Sequence, residues 1–160
     1  MLFVAWILAM AMLTQMFGWF EAEQRNPNRT PETTVTSDGR QQLVLDRNRL
    51  GHYLFNGRIN GVETTFLVDT GATMVAVPES LAAEMNLPKL GKSYVQTANG
   101  TTTAYRTVLA SLQLGPFVME DINATILPAM GPDQEVLLGM SALKHLAFSQ
   151  RQGQLILEPH

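Results

Sequence analysis

From Gln41 the chain runs in period two and short apolar stretches, broken at Asn60-Gly61, Asn99-Gly100, Gly115-Pro116 and Gln152-Gly153. Alternation of this kind makes strands with one buried face, and Asn-Gly between apolar runs is a strong hairpin signal. The pattern predicts strands at 41–46, 51–59, 62–68, 74–77, 93–97, 101–109, 109–114, 117–127, 136–138, 146–150 and 154–157. Short helices are predicted at 78–85, opened by Pro78 and stopped by Asn86 and Pro88, and at 141–145. Many short strands with two small helices make an all-β domain, a barrel or a sandwich. With 160 residues, 46% apolar and 16% charged, the chain has material for one packed domain and an appendage.

One strand of the series ends unusually. Phe66-Leu67-Val68 runs straight into Asp69, followed by Thr70, Gly71, Ala72 and Thr73, and then the apolar Met74-Val75-Ala76-Val77. A carboxylate at the end of a buried strand is costly unless it is hydrogen-bonded, paired or used. Asp and Gly are ordinary turn residues, but a surface turn has no need of apolar runs on both sides. Gly71 lets another backbone or a ligand approach closely.

The N-terminal part reads differently. Leu2 to Phe20 carries no ionisable side chain, and Trp19 and Phe20 close the run. A helix of this length matches the roughly 30 Å hydrocarbon core of a bilayer, and terminal aromatics suit its interface. A single-span anchor at 1–20 is expected, with a cleaved signal peptide as the alternative. Residues 21–40 are polar, hold Pro27 and Pro31 and show no periodicity, and are expected to be a flexible linker to a folded domain at 41–160.

Other functions are disfavoured. The net charge is −3 with no basic cluster, which argues against nucleic acid. There is no cysteine, and His52, His145 and His160 form no ligand-spaced pair, so thiol chemistry is excluded and neither metal nor other cofactor is expected. Gly139-Met140-Ser141-Ala142-Leu143 lacks the final glycine of a nucleophile elbow, and Ser141 is expected to cap a helix.

Three segments in order resemble the retropepsin-like aspartic proteases. Phe66-Leu67-Val68-Asp69-Thr70-Gly71-Ala72 resembles their active-site loop. Val136-Leu137-Leu138-Gly139 resembles the segment that supports that loop, and the hairpin at Asn99-Gly100 falls where they carry a flap. The resemblance covers about 46–157 and, with the apolar N-terminus, is similar to bacterial membrane-anchored members. It implies a closed β-barrel with a flap hairpin and one or two short helices, preceded by a transmembrane helix. It also implies an endopeptidase in which two carboxylates share one proton and activate a water.

This chain holds a single apolar-Asp-Thr-Gly, so the resemblance implies a homodimer with Asp69 contributed by each copy. Thr70 would bond across the twofold axis, Asn99 and Gly100 would cover a polypeptide substrate, and Leu138 and Gly139 would support the loop. Ala72 stands where two-lobed relatives carry Ser or Thr, which implies activity nearer neutral pH. Tyr94 and Tyr105 are both candidates for a flap aromatic. The implied location is a single-pass membrane protein with its domain in the periplasm or otherwise outside the cytoplasm. A non-catalytic peptide-binding module on the same fold is the alternative.

Overall fold

The computed structural model describes residues 2–97, 100–128, 130 and 135–160. After a helix, α1 (Leu2–Arg25), come β1 (Glu32–Val35), β2 (Gln41–Asp46), β3 (Leu54–Ile59), β4 (Val62–Val68) and β5 (Val75–Pro78). Then follow α2 (Glu79–Glu84), β6 (Gly91–Thr97), β7 (Gly100–Leu114), β8 (Phe117–Leu127), β9 (Val136–Leu138), α3 (Met140–Leu143), β10 (Leu146–Arg151) and β11 (Gln154–Pro159). At Asn60-Gly61 both residues take positive φ, 49° and 83°, as a type I′ turn requires, and the turn joins β3 to β4 in register from Leu54↔Leu67 to Ile59↔Val62.

The strands divide between two sheets; the residue pattern alone left a barrel or a sandwich open, and the resemblance implied a closed barrel. One sheet has the order β1-β2-β11-β10 and the other β3-β4-β9-β5-β8-β7-β6. Two residue pairs, Arg58↔Gln113 and Ile59↔Leu112, tie β3 back to β7. The alternating apolar positions of both sheets meet in a common core that includes Leu43, Leu45, Phe55, Phe66, Leu112, Leu114, Ile126 and Leu157. The Phe55 and Phe66 rings stack with centroids 5.5 Å apart. In the larger sheet β9 lies between β4, to which it is parallel, and β5, to which it is antiparallel. This insertion positions the site described below.

The stretch expected to be an unstructured linker is in good part built into the fold. Asn26 and Asn28 are buried. The Asn28 side chain accepts from Asp46 N at 2.7 Å and donates to Asp46 O at 2.9 Å and Leu54 O at 2.7 Å, so one amide joins the two sheets. Asn56 N donates to Asn28 O, and β1 then adds an edge strand to β2. Composition gave no hint of this, because polar residues that dock through backbone and amide hydrogen bonds leave no periodicity. Replacing Asn28 with alanine leaves the Asp46 N–H and two carbonyls without partners, at a cost of about 2 kcal/mol. The expected result is a Tm lower by about 8 °C in a thermal melt followed by circular dichroism.

The single-span anchor is also corrected. Among the described residues no helix is long and apolar enough to cross a membrane. Thr14 and Gln15 interrupt the apolar run, and Glu21, Glu23 and Arg25 belong to the same helix. The helix end is held to the domain: Arg25 pairs with Glu135 at 2.9 Å, and Asn48 Nδ2 donates to Arg25 O at 2.9 Å. The membrane-anchored, extracytoplasmic location inferred from 1–20 falls with the span.

Candidate active site

Asp69 follows the last residue of β4, and its backbone N–H donates to Leu138 O at 3.2 Å. The chain then turns sharply: Ala72 N donates to Asp69 O at 3.2 Å, and Gly71 N donates to the carboxylate Oδ1 at 2.9 Å. Because β9 separates β4 from β5, the loop 69–74 must cross over the end of β9. Three bonds fasten it there. Met140 N donates to Ala72 O at 2.8 Å, Ser141 N to Thr73 O at 2.9 Å, and Val75 N to Ser141 Oγ at 2.9 Å.

The crossing explains the glycine after β9. A β-carbon at Gly139 would lie 2.3 Å from Met74 O and 2.7 Å from Ala72 O, so only a residue without one fits under the loop. Leu138 is fully buried beside it. Gly139 is the N-cap of α3, and Ser141 is therefore not a helix cap as expected; its hydroxyl accepts from the loop instead.

Asp69 is half-buried, and its neighbours Thr70 and Gly71 are exposed. It opens onto a cleft of about 690 Å³ between the loop and the base of the β6–β7 hairpin. Ala72, Thr73 and Met74 line the loop side, and Ser93, Tyr94, Val95 and Gln96 the hairpin side. Asp69 is the one carboxylate that lines it among the described residues. The floor is made by Ala76, Leu127 and Leu137. The sequence reading missed Leu137: β9 pairs on both sides, so its middle residue could not be assigned to core or cleft without the sheet order.

Of the two tyrosines, Tyr94 lines the cleft and is 77% exposed. Tyr105 instead packs on the core, with the Lys89 ammonium 4.5 Å over its ring. A hydrogen bond to Glu79 holds the Lys89 pKa above its usual value. Gly100 opens β7 with φ +106° and pairs with Thr97. Asn99, expected beside it at the hairpin tip, lies outside the described residues. A larger opening of about 990 Å³ separates α1 from β3 and β4, lined by charges of both signs, Glu21, Arg25, Arg29, Glu63 and Glu135. It lacks any contribution from the loop 69–74.

A model of the family described as "gag-polyprotein putative aspartyl protease" matches residues 55–145. An uncharacterised protein from the cobV 5′ region of a Sinorhizobium species is 34% identical over 122 residues, covering 74% of this chain and 52% of that protein. An uncharacterised protein of Rickettsia prowazekii (strain Madrid E) is 31% identical over 107 residues, covering 64% of this chain and 45% of its own length. The chain thus spans about half the length of these curated relatives. The crystal structure of a retropepsin-like aspartic protease from Rickettsia conorii aligns with a TM-score of 0.60 at 27% identity, covering 81% of this chain and 94% of that one.

Proposed function

Since the chain belongs to the gag-polyprotein aspartyl protease family and has a retropepsin-like fold, we propose that it is an endopeptidase whose active site forms from two copies of Asp69. The observation that carries this reading is the strand-end carboxylate itself. It is half-buried, receives a hydrogen bond from Gly71 N, and opens on a cleft of about 690 Å³. A single carboxylate cannot act as base and acid in one step, so a twofold mate supplies the second.

In the dimer, Asp69 and the partner's Asp69 share one proton, because two adjacent carboxylates do not both ionise. The ionised carboxylate removes a proton from a water, whose oxygen bonds to the peptide carbonyl carbon. The protonated one donates to the carbonyl oxygen. Collapse of the tetrahedral species breaks the C–N bond as a proton passes to the leaving nitrogen. Thr70, exposed beside Asp69, would bond across the axis, and Gly71 and Ala72 would keep the loop slim against the substrate. Leu138 and Gly139 hold the loop from below. Gly100, where β7 opens, and Asn99, expected beside it, would close on the peptide by strand-like main-chain bonds.

Two outcomes test this reading. Activity per chain on casein rises with protein concentration at high dilution and then levels off as the dimer saturates. Constant activity per chain from a species of monomeric mass would rule out the shared dyad. The pH profile is expected to peak closer to neutrality than that of a gastric enzyme, because Ala72 offers no hydroxyl to the carboxylate; a maximum near about pH 2 would contradict it.

A further inference from the structure

The cleft is not neutral toward its occupant. Besides Asp69, the one ionisable side chain among the described residues that lines it with a permanent charge is Arg106, on β7. In the β6–β7 register Arg106 stands opposite Gly91, and Ser93 stands opposite Ala104. Gly91, Ser93, Ala104 and Arg106 therefore share one face of the hairpin, the face toward Ala76, Leu127 and Leu137.

Two features of this face bear on what the cleft can hold. Gly91 has φ +152°, and a β-carbon there would come within 3.2 Å of Arg106 Nη2, so the guanidinium lies against a bare backbone. Arg106 is exposed and has no salt bridge among the described residues. The Ser93 hydroxyl oxygen is buried and lacks a hydrogen-bond partner. Ser93 and Arg106 are diagonal neighbours across the ladder, about 7 Å apart at Cβ, which lets both reach a single group. Both can donate, and the guanidinium can do nothing else.

We propose that Arg106 and Ser93 form a subsite that selects an acidic side chain at one fixed position of the peptide substrate. The apolar floor takes the methylenes of a glutamate, while the carboxylate receives the guanidinium and the hydroxyl. A lysine at that position would meet the Arg106 charge. This inference rests on the reading of the cleft as the peptide-binding site, and it assigns that site a substrate class.

The test begins with the wild-type dimer and a mixed peptide library. The cleaved sequences then guide peptides that differ only by Glu, Gln or Lys at the enriched position. Wild type is expected to favour Glu over Gln by about fivefold to tenfold in kcat/KM, chiefly through KM, with the ratio shrinking in high salt. Arg106→Glu reverses the order of Glu and Lys, and Ser93→Ala lowers the Glu preference by a few fold. Arg106→Met, which keeps the aliphatic stem, abolishes the Glu preference and serves if the charge reversal does not fold.

Unchanged Glu:Gln:Lys ratios in both Arg106 variants, with cleavage intact, overturn the subsite and leave the protease standing. A wild type that cleaves no peptide, and is indistinguishable from Asp69→Asn throughout, overturns the protease reading and the subsite with it.

Discussion

Asp69→Asn lowers peptide hydrolysis by at least about a thousandfold, while the fold and the melting temperature stay close to those of the wild type. The asymmetry between activity and stability follows from the position of the side chain. Asp69 Oδ1 accepts one hydrogen bond, from Gly71 N, and an asparagine oxygen can accept the same bond. The backbone bonds that hold the turn, from Asp69 N to Leu138 O and from Ala72 N to Asp69 O, are untouched. Only the capacity to take a proton from water and to give one to the substrate is lost.

The proposed dimer sharpens the measurement. If each site needs two intact carboxylates, wild type and variant mixed in equal amounts and allowed to exchange leave about one quarter of the activity, since only wild-type pairs work. Half the activity would mean that each chain acts alone, and the shared site would have to be abandoned.

Gly139→Val has the second largest effect, and it acts on stability and activity together. Even the β-carbon of alanine would lie 2.3 Å from Met74 O and 2.7 Å from Ala72 O, and valine adds two methyl groups in the same confined space. Backbone oxygens on both sides cannot move as a flexible side chain would. The loop must lift, losing the bonds from Met140 N to Ala72 O and from Ser141 N to Thr73 O. Overpacking with lost buried bonds costs about 3 kcal/mol, so Tm should drop by about 12 °C. Activity at a temperature where the variant is still folded should fall further than the unfolded fraction explains, because the carboxylate is displaced. A variant with wild-type melting and wild-type turnover would show that Gly139 does not support the loop.

Much of this arrangement was legible in the residues. The strands at 41–46, 62–68 and 136–138 match β2, β4 and β9 as they stand, because period-two alternation and flanking turns mark strand ends well. The Asn60-Gly61 hairpin followed from backbone conformation alone. The loop and its supporting glycine could be picked out as motifs, but not why they belong together. That depends on β9 lying between two strands that are consecutive in the chain, a long-range fact with no local signature.

The make-up of the smaller sheet had no local signature either, since β1 and β11 reach β2 from opposite ends of the chain. The docked segment around Asn28 was hidden by its polarity. Arg106 and Ser93 drew no notice because a lone arginine and a lone serine on a threonine-rich hairpin look like a solvated face. Only the register, which sets them diagonally across from one another above the cleft, gives them a role.

The insertion of β9 also sets the order in which the protein can be assembled. Val62–Val68 and Val75–Pro78 leave the ribosome long before Val136–Leu138, yet they cannot take their final spacing until those three residues slide between them. A nascent chain that stops short of residue 136 therefore has nothing beneath Asp69 to hold it in place. Asp69 therefore takes its final position only once β9 has emerged and slid between β4 and β5.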